Sequence, residues 1–184
     1  HPVALRLLEA FGGALAAPSA NRFGEVSPTR AEHVRQGLGD DLLVLDGGPC
    51  QVGIESSILD MTVDPPALLR PGGIAPEILE GLLGPLGASH TRASGTLPSH
   101  YAPRTALRVT DQPEEEAHHL EQQGLRVAVL HARPPAEYAQ VLYAELRRLD
   151  AMGVDVLVAE RVAEYGLGLA INDRLERASH SRDR

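Results

Sequence analysis

The chain has 184 residues, 43% of them hydrophobic, with a formal net charge of −8 and one cysteine, Cys50. This composition suits an ordinary globular protein that buries a core. It leaves no run near the roughly 20 apolar residues of a membrane span, no intramolecular disulfide, and no broad cationic platform for nucleic acid. Aromatics make up only 3%, so Leu, Val, Ile and Ala must build the core, and all 17 basic residues are arginines.

Val3, Leu7, Leu8 and Phe11 recur at helical spacing and stop at Gly12 and Gly13, which suit a helix end. "ALAAPSA" (14–20) reads as a short buried strand ended by Pro18. In "SPTRAEHVRQGLG", Ser27 reads as an N-cap with Pro28 at the first helical position. "LLVLDGG" (42–48), "IESSILDM" (54–61) and "ALLRPGG" (67–73) read as strands, and "APEILEGLL" as a helix. The aperiodic, Gly-, Ser- and Pro-rich stretch 84–104 reads as an interdomain linker. After it, strands "ALRVT", "LRVAVL" and "VDVLVAE" alternate with helices over 113–123, 135–152 and 169–178, which implies a parallel sheet with covering helices. In the second helix Tyr138, Val141, Leu142, Leu146 and Leu149 form the core stripe, with Glu145, Arg147 and Arg148 on the surface.

Several residues carry the candidate chemistry. "APSANRFGEVSPT" (17–29) delivers Ser19 and Asn21 to a loop that feeds a helix start at Ser27, gathering hydroxyls, an amide and free N–H groups suited to an anion. The plainer alternative is a solvated turn with a capping serine. Ser56 falls on the same face as Ile54 and Ile58, so its hydroxyl needs a partner, either a substrate or a neighbouring backbone group. Arg70 stands at the carboxyl end of a strand, where a guanidinium suits phosphate oxygens. Tyr101 brings an amphipathic ring into the linker, either over a ligand or onto a domain surface. The histidines are scattered and predict no protein-built metal site.

In this order, "APSANRFGEVSPTRAEHV", "DGGPCQVGIESSILD", "LLRPGGI" and "LPSHYAP", followed by "YAELRRLDAMGVDVLVAE" and "GLGLAINDRLERA", resemble the threonylcarbamoyl-AMP synthase family. The likeness is to the form that joins a YrdC-type catalytic domain through a linker to a C-terminal accessory domain, and it covers almost the whole chain. It implies an α/β fold: part of a YrdC-like twisted α/β domain (1–83), a linker (84–104), a small Rossmann-like parallel-sheet domain (105–178) and a tail (179–184). It also implies a cytoplasmic nucleotidyltransferase that condenses L-threonine, bicarbonate and ATP into threonylcarbamoyl-adenylate and pyrophosphate, on the way to N6-threonylcarbamoyladenosine in tRNA.

Matched motif to motif, the resemblance has Ser19, Asn21, Ser27 and Arg70 contact ATP while Tyr101 closes over it. The Ala17 backbone and the Ser56 hydroxyl hold threonine. Mg²⁺ rides on the triphosphate, no protein nucleophile takes part, and tRNA or tRNA-modifying proteins are further partners. Phe23 stands where the family commonly has Ser, Ser57 where it has Thr, and "ASG" where "PG" is usual. A Lys-x-Arg segment that neutralises the triphosphate is missing, since the chain has no lysine. The expectation is an N-terminally truncated piece with little or no activity alone. The alternatives are a double-stranded RNA or tRNA binding module, which the acidic charge disfavours, a hydrogenase-maturation carbamoyltransferase, and a non-catalytic relic.

Overall fold

A computed structural model describes residues 1–97 and 99–180. Pro98 in the linker and residues 181–184 of the tail lie outside the described residues. The order of elements is α1 (Pro2–Phe11), α2 (Ala31–Leu38), β1 (Ile58–Asp60), β2 (Ala67–Arg70), α3 (Pro76–Leu83), β3 (Ala106–Thr110), α4 (Pro113–Gln122), β4 (Val127–Leu130), α5 (Pro135–Asp150), β5 (Val156–Glu160) and α6 (Leu167–Ser179).

Proline opens α1, α3, α4 and α5, where its missing N–H costs nothing and its fixed φ suits the first turn. Three glutamates in the first turn of α4 add favourable charge at its positive end. Gly12 ends α1 in the left-handed conformation, as its position after the apolar repeat predicts.

The second half is built on a three-stranded parallel sheet in the order β3-β5-β4. In the central strand Val156, Leu157, Val158 and Ala159 are all buried, because both faces are covered. Leu120 of α4 packs with Val156 and Val158. Leu157 and Ala159 belong instead to the main core, with Leu142 and Leu146 of α5 and Ile171 and Leu175 of α6. That core extends across the chain to Val26, Ile54 and Tyr101, so the two halves share one apolar cluster.

The first half departs from the pattern-based expectations. Residues 14–20 and 42–48 form no strand, and Leu43 is 88% exposed. An extended segment needs a neighbour to complete its ladder, and none of the described residues pairs with either segment. "IESSILDM" contributes only β1, which pairs antiparallel with β2 and shifts register between Ile58 and Leu59. Outside that strand the period-2 argument lapses: Ile54 is buried but Ser56 is exposed. Helix α2 begins at Ala31 with Arg30 before it, so Ser27 is not its cap.

The linker runs as a stitched strap despite its composition. Ser89 and Thr91 donate to the Asp60 carboxylate at 2.6 and 2.8 Å, and Thr62 adds its hydroxyl at 2.6 Å. With Ser89 as the largest contributor, these donors hold the Asp60 carboxyl well below the usual carboxylate range. Further on, Ala102 N donates to Gly24 O at 2.9 Å, and the backbone N–H groups of Arg104 and Thr105 donate to Asp150 at 3.1 and 2.8 Å. No described helix is long and apolar enough to cross a membrane.

Candidate active site

Glu55 organises the contact between the halves. Its Oε1 accepts the Ser27 hydroxyl at 2.8 Å, and its Oε2 accepts Tyr143 OH at 2.8 Å and Arg174 Nε at 3.0 Å. Burial pushes the Glu55 carboxyl up, but the Arg174 charge and the three donors outweigh it and hold the group below its ordinary value. Arg147 places its guanidinium on the carbonyls of Val26 and Ser27, so it is a half-buried clamp and not the surface residue that helical spacing predicts. These tertiary bonds explain why Ser27 does not cap α2: its hydroxyl and carbonyl are both spent on the other half of the chain.

Arg70 is buried and lies against Ser56. Its Nε and Nη2 donate to Ser56 O at 3.1 and 2.9 Å, and its Nη1 donates to Ser94 O at 2.8 Å. A guanidinium has five N–H groups, so donors remain on both Nη atoms. One of them faces the Ser56 hydroxyl at 3.4 Å. The strap then folds over Arg70. A Cβ placed at Gly95, where φ is +77°, would lie 2.2 Å from the Tyr101 hydroxyl and 3.0 Å from Arg70 Nη1. Only glycine lets the strap approach that closely, and "ASG" retains it.

Tyr101 is 1% exposed and adopts φ 60°, the one positive φ outside glycine among the described residues. Such strain persists only where packing overrides it. Its ring stacks on Tyr143 at 5.4 Å, meets His100 edge-on at 4.1 Å and lies under Arg174, whose guanidinium carbon is 5.4 Å from the ring centroid. Asn21 folds back on its own loop, its amide donating to the carbonyls of Arg22 and Glu25 at 2.9 and 3.0 Å.

Four buried side-chain atoms have no hydrogen-bond partner among the described residues: Asn21 Oδ1, His100 Nδ1, Tyr101 OH and Arg174 Nη2. Buried polar atoms are normally satisfied, and three of these, on His100, Tyr101 and Arg174, belong to side chains in direct contact.

The structure thus links Ser27, Ser56, Arg70 and Tyr101 through Glu55, Tyr143 and Gly95, whereas among the described residues Asn21 bonds only within its own loop. Ala17 and Ser19 stand exposed on the segment that enters the loop, outside this network. Local patterning does not reveal Glu55, Tyr143 or Arg147. The one available signal is Arg174 itself, a charge within the stripe of Ile171, Leu175 and Ala178 on a helix face that should be apolar. Among the described residues no three His, Cys, Asp or Glu side chains are grouped to hold a metal ion.

A pH dependence follows from the same contacts. Burial, the largest cause, holds the His33 and His100 rings below their usual value, and nearby guanidiniums add to it. Unfolded histidines bind protons from about pH 6.5 downward while these stay neutral, so the unfolded state takes up more protons and stability falls as pH drops below about 6.5. The stabilisation from the ionised Glu55 is present above about pH 4.5 and is lost as pH falls through its lowered native value. Unfolding midpoints measured from pH 8 down to about pH 3 should decline in two stages; Glu55→Gln should shrink the lower one, to which Asp60 also contributes, and should not shrink the upper one, because the Glu55 charge partly offsets the lowering at His100.

Residues 74–180 match the family model described as threonylcarbamoyl-AMP synthase, C-terminal domain, and residues 1–72 match the model described as telomere recombination. Over 99% of its length the chain is 38% identical to the threonylcarbamoyl-AMP synthase of Bacillus subtilis, of which it covers 62%. It is 34% identical to that of Pyrococcus abyssi over 97% of the chain and 62% of the relative. Among solved structures, P. abyssi Sua5 complexed with L-threonine matches 97% of this chain with a TM-score of 0.89 at 35% identity, and 62% of that protein is covered. The chain therefore spans about three fifths of the length of these relatives.

Proposed function

Because the chain belongs to the threonylcarbamoyl-AMP synthase family, we propose that it is a large part of an enzyme that joins L-threonine, bicarbonate and ATP into threonylcarbamoyl-adenylate, releasing pyrophosphate and water. The observation that carries this reading is the linkage of Ser27, Ser56, Arg70 and Tyr101 through Glu55, Tyr143 and Gly95, beside buried polar atoms with no partner among the described residues. In it, Asn21, Ser27 and Arg70 contact ATP, joined by Ser19 from the exposed segment, and the Tyr101 hydroxyl meets the nucleotide from the strap. Ser56 and the Ala17 backbone receive threonine. Mg²⁺ enters with the triphosphate, which suits residues that offer donors and not a carboxylate cage. Catalysis then rests on positioning and charge stabilisation. The setting is the cytoplasm, with tRNA or tRNA-modifying proteins downstream.

The reading takes this chain as one part of the site, in keeping with the three fifths of the relatives' length that it spans. Leu5, Phe11, Leu42, Leu43 and Leu45 of the first half are each exposed, large apolar side chains of the kind that a finished domain covers. We assign 1–83 to the catalytic domain, 84–104 to the strap and 105–178 to the accessory domain. The test is pyrophosphate release with all three substrates, on this chain and on the full-length protein. Full-length activity that needs threonine and bicarbonate supports the reading, and its absence overturns it. Turnover by this chain alone at the full-length rate overturns the assignment as a partial site.

A further inference from the structure

The accessory half contributes a charged side chain to the heart of the neighbourhood just described. Arg174 on α6 is 0% exposed, and its Nε grips Glu55 across 119 positions of sequence. Its Nη1 donates to Pro71 O at 2.8 Å and to Asp173 at 2.7 Å, which ties it to the turn directly after Arg70. Its guanidinium faces the Tyr101 ring, and Nη2 has no hydrogen-bond partner among the described residues. One side chain therefore touches the partner of Ser27, the turn after Arg70, and Tyr101.

A purely structural buried pair is poor value, since desolvation offsets most of the attraction. The position of this pair gives it a second consequence. Glu55 accepts the one O–H of Ser27 through Oε1, so the carboxylate turns the hydroxyl's lone pairs toward a ligand, where they can accept from the amine or ribose hydroxyls of a nucleotide but cannot donate to its phosphates. A bare carboxylate beside a triphosphate also repels it, and the repulsion is strong where water is excluded. Arg174 and Tyr143 hold Oε2, which cancels the charge and fixes the rotamer.

We propose that Arg174 is a positioning residue for the nucleotide: from the accessory domain it neutralises and orients Glu55, and so sets the Ser27 hydroxyl and the Tyr101 ring for ATP. This rests on the reading of the site as an ATP site. It gives the accessory domain a direct part in nucleotide binding.

The test compares Arg174→Gln, Arg174→Lys, Glu55→Gln and the double variant Glu55→Gln/Arg174→Gln in the full-length protein, with KM for ATP and for threonine, kcat, and the unfolding midpoint. Arg174→Gln should raise the KM for ATP by about tenfold or more, the scale of one charge-assisted hydrogen bond, and change the KM for threonine less than twofold. Arg174→Lys should fall between, because it keeps the charge and loses the fork. The double variant should recover most of the ATP affinity, because no bare carboxylate remains. Tyr143→Phe, which removes one donor to Oε2 and keeps the ring, should shift the KM for ATP in the same direction by a smaller factor. Equal losses for both substrates without rescue by the double variant would make Arg174 merely structural and overturn the proposal. Unchanged ATP affinity in Arg174→Gln and Tyr143→Phe would do the same. A wild-type protein that binds no ATP overturns the ATP reading itself, and this proposal with it.

Discussion

Gly53→Ala is expected to destabilise the chain by about 3 kcal/mol or more, combining left-handed backbone strain with overpacking. Gly53 has φ +84°, and a Cβ there falls 2.3 Å from Ala139 O and 2.4 Å from Gln140 Cα. Those atoms are the backbone of α5, which cannot turn aside as a flexible side chain would. Because the contact joins the two halves of the chain, relief requires them to part, and Ile54 is the next residue into the shared core. For a chain of this size that cost lowers the unfolding midpoint by on the order of 6–12 °C. Gly124→Ala is the control. Its φ is also +84°, but nothing lies within 4 Å of the new carbon, so it isolates the conformational cost of about 1–2 kcal/mol. Equal losses at the two positions would show that Gly53 is not a close-approach contact.

Tyr101 separates stability from function. Tyr101→Ala empties a fully packed ring site and should cost about 3–5 kcal/mol, as for other buried aromatics. It also removes the surface on which Tyr143, His100 and Arg174 rest. Tyr101→Phe keeps the ring and deletes a hydroxyl that has no partner among the described residues. Removing an unsatisfied buried group is neutral or stabilising, so its unfolding midpoint should stay level or rise. If the hydroxyl is reserved for the nucleotide, the same variant weakens ATP binding by about five- to tenfold, the value of one hydrogen bond. A Tyr101→Phe protein with a lowered midpoint and unaltered ATP affinity would make the hydroxyl structural.

Much of the second half was legible in advance. The strands at 106–110, 127–130 and 156–160, and the helices between them, follow from regular apolar repeats, and each repeat is satisfied by its immediate neighbours in the sheet. The first half was read less well for the opposite reason. Residues 42–48 have the composition of a buried strand, but no described residue pairs with them. Ser27 has the chemistry and spacing of a cap, but a carboxylate 28 positions away binds it instead. Arg147 sits on the polar side of a helical wheel, but the backbone carbonyls of Val26 and Ser27 reach it there.

What the amino-acid order determined by itself was the set of local choices: where helices start at prolines, which stripes are apolar, and which motifs carry the family's polar side chains. Those choices depend on neighbours three or four positions away, so a linear reading reaches them. The tertiary structure alone decided that Glu55, Tyr143 and Arg174 meet, that a Gly- and Ser-rich segment becomes a stitched strap, and that Tyr101 is buried in a left-handed conformation. Each of these depends on a partner dozens to more than a hundred residues distant. Hydrogen bonds and ion pairs have a reach of a few ångströms and no memory of sequence separation, so only the folded arrangement says which groups they join.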